Sequence, residues 1–228
     1  IMSSIILETD RSTLRPFVVA DASALGTAMR DANITETTQF EPPARTVEEG
    51  AERALARITD FSDHWERFGF GVFGAFRKDD GGLIGYCGLR YNDEFDGDLH
   101  ISTMVDRPYW SCGIASEIFR RNLEFAFLEQ DFKVVYGAAR TIQLTSVRIL
   151  EKCGFVRQPD RMLRHYPMVY YACSREAFLA QHVIYLKFRL GQLGHHHAPR
   201  TATGLASVPA NGAFQTDIPM NKNGPAGA

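Results

Sequence analysis

An alternating segment, residues 98–105, runs through a turn containing Gly113 straight into a helical repeat carrying Ala115, Ile118, Phe119, Leu123, Ala126 and Phe127. Few architectures accept that junction. Where a strand rises across a glycine turn into a helix, the first N–H groups of the helix lack intrahelical acceptors, and the macrodipole adds partial positive charge to them. Residues 106–118 therefore read as an anion cradle suited to a phosphate, with Gly113 and Ala115 small enough for close backbone approach.

The elements on either side place this junction in a mixed sheet. Residues 5–17 carry short strand signals, and Asp21 is positioned to cap an amphipathic segment with Leu25 and Met29 on one face. Thr46-Val-Glu-Glu49 opens a second helix with a capping-box pattern that runs through Ala51, Leu55, Ile58 and Phe61 toward Trp65. Residues 71–76 and 83–89, separated by the turn residues 78–82, form a hairpin, and a turn at Asp96-Gly97 adds 98–105 as a third antiparallel strand. A buried-type strand follows at 134–139, then a short helix over 144–152 ending at Gly154, a restart at Phe155-Val156 and a last strand at 168–172. Ser174 can cap a final helix to about Leu190. The order β-α-α-β-β-β-α-β-α-β-β predicts an α+β fold, a mixed α/β sheet in one domain over residues 1–190. Residues 191–228 are rich in Gly, Ala, Pro, Asn and Thr, cannot bury enough surface to offset ordering entropy, and read as a disordered tail.

Charge narrows the partners. With 25 basic and 27 acidic residues, the formal charge of −2 provides no basic field for nucleic acid. Cys87, Cys112, Cys153 and Cys173 form no C-x-x-C pair and read as reduced thiols. No run approaches the ~20 apolar residues of a membrane span and no leader pattern is present, so the expectation is a soluble, cytoplasmic protein. His195-His-His197 lies in the tail and is assigned no metal, and none is expected elsewhere.

Four segments in order now carry a likeness: Leu7-Glu-Thr-Asp-Arg11 with Leu14-Arg15, Leu83-Ile-Gly-Tyr-Cys-Gly-Leu89, Tyr109-Trp-Ser-Cys-Gly-Ile-Ala-Ser-Glu117, and Ser146-Val-Arg-Ile-Leu-Glu-Lys-Cys-Gly-Phe155. Over residues 5 to about 180 the chain resembles the GNAT superfamily of acetyl-CoA-dependent N-acyltransferases, most of all its branch of ribosomal-protein N-terminal acetyltransferases. The resemblance implies a mostly antiparallel mixed sheet, splayed at its fourth and fifth strands, with helices on both faces. It also implies that coenzyme A is held at the cradle by Trp110, Ser111, Cys112, Gly113, Ile114, Ala115 and Ser116, with Ser111 standing where the branch usually has glycine. Backbone groups of Met104 and Val105 pair with the pantetheine arm in this likeness, and Gln143 and Ser146 take the places of an Asn and a Ser that contact it. The tyrosine that many relatives use to protonate the departing thiolate is replaced by Leu150, which leaves Ser146 or water for that role.

Acyl transfer to an amine needs a neutral amine, so a group must accept a proton at or before attack. Alternation puts Asp98, His100, Ser102 and Met104 on one face of their strand, and His100 matches the position where the family places its carboxylate base. An imidazole with an ordinary pKa of ~6.5 suits the task. A bystander histidine is the competing reading, and Asp98 or water is the reserve base. The acidic turn Asp93, Glu94, Asp96 and Asp98 either attracts an amine or is a solvated hairpin. Cys112 reads either as a reactive thiol at a helix N-terminus or as a passive small residue. In the resembled fold, residues 30–70 border the acceptor groove, so Phe40, Glu41 and Trp65, together with Asp98, are candidates for shaping it.

The leading expectation is an acetyl-CoA-dependent N-acetyltransferase acting on a primary amine, a protein N-terminus or a small molecule. An α-amine with pKa ~7.7–8.0 yields its neutral form more readily than a lysine at ~10.4. The alternative is a non-catalytic acyl-CoA-binding or interaction module on the same fold. The final helix, with Phe178, Val183, Leu186 and Leu190, has two destinations: its own domain, or a second copy of the chain as a homodimer.

Overall fold

Thr9 divides the opening segment in two: its N–H and hydroxyl both donate to the Ser12 carbonyl (2.9 and 3.2 Å), and its hydroxyl also accepts from the Ser12 N–H (2.9 Å). Two short strands result, β1 (Leu7–Glu8) and β2 (Ser12–Pro16), where one was expected. The computed structural model describes residues 5–36, 41–163 and 165–194, without the side chains of 187–194. Helix α1 (Ala22–Ala28) and the single turn α2 (Ala32–Ile34) follow, then the long helix α3 (Val47–Phe68). The meander is β3 (Val72–Arg77), β4 (Leu83–Asn92) and β5 (Asp98–Val105). Helix α4 (Ile114–Glu124), which passes into a wider π turn over Phe125–Glu129, crosses to β6 (Val134–Arg140). Helix α5 (Leu144–Lys152), β7 (Val156–Leu163), β8 (Tyr166–Ser174) and α6 (Arg175–Gly194) complete the series.

Local chemistry explains most boundaries. Thr46 caps α3 by accepting from the Glu49 N–H (3.1 Å), although the Glu49 carboxylate returns to the Arg45 N–H (2.7 Å) and not to the cap itself. Gly69 and Gly154 end their helices at φ 73° and 87°, a left-handed conformation that costs a glycine nothing. Ser174 caps α6 through the Ala177 N–H (3.2 Å). The expected cap at Asp21 is not made: its carboxylate is taken by the Arg15 guanidinium (2.8 and 2.9 Å) and the Val18 N–H (2.8 Å). A charged, bidentate partner outcompetes a helix N–H.

The eight strands form one mixed sheet in the order β1-β2-β3-β4-β5-β6-β8-β7, antiparallel throughout except for the parallel pair β5–β6. In this α+β fold, β3, β4 and β5 alternate between two cores. One joins Phe73, Cys87, Leu89, Ile101 and Val105 to Ile118 and Leu123 of α4; the other joins Val72, Tyr86 and Met104 to Leu25 and Met29 and to Ile58 and Phe61 of α3. Gly88 lets β3 approach, since a Cβ there would lie 2.3 Å from Val72 Cα. β4 and β5 stay in register from Gly85↔Val105 to Asn92↔Asp98, whereas β5 and β6 share the single pair His100↔Tyr136. The sheet therefore splays between β5 and β6, the fifth and sixth strands, because the opening segment counts as two.

The chain divides into two compact units, Ile1–His182 and Val183–Ala228. The first holds the whole sheet, with Phe178 of α6 fully buried. Of the second, the description reaches Gly194: the helix continues through Gly191, past the expected stop near Leu190, and Val183, Ile184 and Leu186 are exposed on it. The expected tail from residue 195 onward, His195–His197 included, lies outside the described residues. No described helix is long and apolar enough to cross a membrane.

Candidate active site

At the C-terminal end of β5 the chain turns through a short 3-10 segment, Arg107–Tyr109, and enters α4 with Ser111 at φ 61° and Gly113 at φ 81°. Residues 110–113 are exposed. Among the described residues, the N–H groups of Ser111 through Ser116 have no acceptor; the next one, Glu117, bonds to the Gly113 carbonyl (3.1 Å). Ser111 thus holds a left-handed conformation without a glycine's freedom, at a cost of about 1–2 kcal/mol. Cys112 donates its thiol proton to the Tyr109 carbonyl (2.9 Å), within the turn.

Arg11, to which the sequence gave no role, braces the turn from the far end of the sheet. Its guanidinium donates to the Cys112 carbonyl (2.9 Å) and to Glu117 of α4 (2.7 Å), and its own N–H reaches the same carboxylate (3.0 Å). The pairing crosses more than a hundred residues of sequence, which is why no local pattern signals it.

Alternation along β5 decides which backbone groups enter the splay. The Asp106 N–H bonds to Ile84 on β4, and the Met104 carbonyl likewise faces β4, only 2.1 Å from where a Cβ on Gly85 would sit. The N–H and C=O groups of Thr103 and Val105 consequently point away from β4, into the gap. Trp110, 46% exposed, donates its indole N–H to the Val105 carbonyl (2.7 Å), tying the turn to the strand.

A cavity of about 680 Å³ opens on this side of the sheet, and His100, Gln143, Ser146 and Glu41 all contribute to its wall. Gln143 precedes α5 and accepts from the Arg140 N–H (2.9 Å) through its side-chain oxygen. The Ser146 side chain has no partner among the described residues, and Leu150 is buried against Gly137. Trp65 is not part of the wall: it is 6% exposed, packs edge-on against Phe73 and donates to the Val72 carbonyl (2.9 Å). Phe40 lies outside the described residues. The wall that the sequence did not flag is the outer face of α3, where Arg53, Ala56, Arg57 and Asp60 recur at i, i+3, i+4 and i+7. Arg53 pairs with Glu49 and Asp60 with Arg90, while Arg57 has no partner among the described residues.

His100 is buried at 4% exposure, its ring stacked on Phe95 (4.6 Å between centroids, 16° between planes). Its Nε2 lies 3.0 Å from the Tyr170 hydroxyl, which donates to Asp98 (2.7 Å). Burial, helped by the Arg161 guanidinium, pushes the His100 pKa down to about 3, so the ring is neutral at physiological pH. Burial and the Asp98 hydrogen bond push the Tyr170 pKa up. Arg161 also reaches Asp96 (3.3 Å) and Asp98 (3.5 Å), so two members of the acidic turn face a cation.

A comparison of sequences finds that the family described as "Acetyltransferase (GNAT) domain" matches residues 11–156. The uncharacterized N-acetyltransferase p20 of Bacillus licheniformis is 25% identical over 160 residues, covering 70% of this chain and 86% of its own length. The uncharacterized N-acetyltransferase YoaA of Bacillus subtilis (strain 168) is 27% identical over 161 residues, covering 71% and 87%. Among solved structures, the ribosomal-protein-S5-alanine acetyltransferase from Vibrio fischeri superposes with a TM-score of 0.60 at 14% identity, over 75% of this chain and 97% of that one, a likeness of fold.

Proposed function

Because the chain belongs to the GNAT acetyltransferases, matched over residues 11–156, we propose that it moves an acetyl group from acetyl-CoA directly to a primary amine in the gap between β5 and β6. The observation that carries this reading is the single-pair contact at His100↔Tyr136 beside an exposed turn whose six N–H groups lack acceptors. The residues present fit the diphosphate of coenzyme A: an open amide run at a helix N-terminus and a left-handed Gly113 whose missing Cβ leaves the Arg11 guanidinium, 3.8 Å away, as the nearest group. Ser111 through Ser116 hold that diphosphate, with Trp110 fixing the turn to Val105. Backbone groups of Thr103 and Val105 face the pantetheine arm, and Gln143 and Ser146 flank it from α5. The Met104 backbone, which the resemblance pairs with the arm, is turned toward β4 instead, and its side chain is buried in the core.

The bound thioester supplies an activated acetyl carbon. The amine nitrogen bonds to that carbon, the carbon–sulfur bond breaks, and the proton lost from nitrogen is balanced by one gained at sulfur. His100 accepts the proton from nitrogen, whose N–H grows more acidic as nitrogen bonds to the carbonyl carbon; burial, which lowers the imidazole pKa to about 3, makes it a weaker base than the ordinary histidine the sequence suggested. Ser146 is the nearest candidate for returning a proton to sulfur. Glu41 and the α3 face border the acceptor, with Asp98 at its margin. The acceptor is an α-amine, a peptide N-terminus or a small amine, since its pKa of ~7.7–8.0 leaves far more neutral nitrogen than lysine at ~10.4.

Thiol release from acetyl-CoA, measured against peptides with free N-termini, lysine side chains and small amines, tests the reading. Turnover is expected with α-amines in preference to lysine, and His100→Ala should lose about 10²–10⁴-fold in kcat. Coenzyme A binding without turnover on any amine would favour the non-catalytic module, and full turnover in His100→Ala would remove the base.

A further inference from the structure

We propose that Asp98 and Tyr170 lock His100 into one tautomer, with its proton on Nε2 and a bare lone pair on Nδ1. This deepens, and rests on, the assignment of His100 as proton acceptor.

The argument is a count of protons along three side chains. Asp98 Oδ2 lies 2.7 Å from the Tyr170 hydroxyl, and a carboxylate only accepts, so the phenolic proton points at Asp98. That leaves Tyr170 only lone pairs for His100 Nε2, 3.0 Å away, so Nε2 must carry a hydrogen. A neutral imidazole has one N–H, and Nδ1 is therefore unprotonated. Nδ1 is also the ring nitrogen with no partner among the described residues, on a side chain that forms part of the cavity wall. The opposite tautomer would present a donor there, and a donor cannot take a proton from an amine.

The fold holds the chain of bonds rigidly. Asp98 precedes His100 by two residues on the same face of β5, and Tyr170 reaches them from β8, across β6. The tie bridges the two halves of the sheet beside the one place where β5 and β6 meet. Phe95 and Tyr136 stack on the imidazole (4.6 and 6.1 Å), and the Arg161 guanidinium sits 4.2 Å above the Tyr170 ring while reaching Asp98. When His100 takes the amine proton at Nδ1, the Asp98 carboxylate faces the new charge through Tyr170. Asp98 and Tyr170 are thus positioning residues.

Long-range proton–nitrogen correlation spectra of isotopically labelled protein, at neutral pH, read the tautomer without any need for activity. The expected result is a singly protonated His100 with its hydrogen on Nε2; a hydrogen on Nδ1, or on both nitrogens, would overturn the proposal. Kinetics supply the second arm. Asp98→Ala and Tyr170→Phe should each lower kcat by about 10–100-fold, leave the KM for acetyl-CoA within about twofold, and combine with no further loss because they act as one unit. Unchanged kcat in Asp98→Ala alongside an inactive His100→Ala would overturn the lock while sparing the base. Full turnover in His100→Ala would instead overturn the base, with the tautomer spectrum still deciding the lock.

Discussion

His100 sits where burial and proton transfer make opposite demands on an imidazole. Enclosure by Phe95, Tyr136 and Tyr170 disfavours the cation, yet the same enclosure orients the ring and keeps a lone pair available above a pH of about 3. Stability bears the consequence. The unfolded chain protonates this residue below its ordinary value of 6.5, whereas the folded ring stays neutral down to about 3. Over that window the unfolded state binds more protons, so folding stability falls as pH falls, by up to about 1.4 kcal/mol per pH unit. Denaturation of the wild type and of His100→Gln across the window should give curves that converge toward acid; parallel curves would show that the residue is not buried in this way. None of this is legible from the sequence, where alternation tells which side of β5 His100 occupies but not what covers it. Tyr170 and Arg161 arrive from more than sixty residues away.

At the scale of elements, the turn between β5 and α4 is the part most nearly written in local sequence. Gly113 after an alternating strand and before a helical repeat predicts the turn that is found, and the boundaries of β5 and α5 fall where periodicity places them. Ser111 departs from that economy, holding φ 61° without glycine's freedom. Ser111→Gly should raise stability by about 0.5–1 kcal/mol, the relief of left-handed strain less the entropy a glycine adds to the unfolded chain. Gly113→Ala should lower it by a similar amount or more, from backbone strain alone, because a Cβ there would meet nothing closer than Arg11 Nη2 at 3.8 Å. Thermal or chemical denaturation checks both; a destabilised Ser111→Gly would mean that the serine side chain contributes something the turn needs. What stayed illegible at this scale is the brace on the turn. The Arg11–Glu117 pair depends on how distant segments meet, the Trp110–Val105 bond on how the turn folds back onto its own strand, and a second strand hidden by the Thr9 turn moved the splay one position along the sheet.

Over the whole molecule, a nearly continuous antiparallel sheet is interrupted by one parallel pair, and the proposed site lies at that interruption. The mostly antiparallel mixed sheet and the helices on both faces could be argued from periodicity and from resemblance, whereas the insertion of β8 between β6 and β7 could not. The cavity wall on α3 could not, since a polar stripe at i, i+3, i+4 and i+7 is also what any solvated helix face looks like. Its position opposite His100 and Ser146 is a property of the assembled fold. A crystal structure with coenzyme A bound tests the account most directly. The diphosphate oxygens should lie within about 3 Å of backbone nitrogens in residues 111–116, with the pantetheine arm entering between β5 and β6. A diphosphate bound anywhere else, with those nitrogens still facing open solvent, would contradict the account.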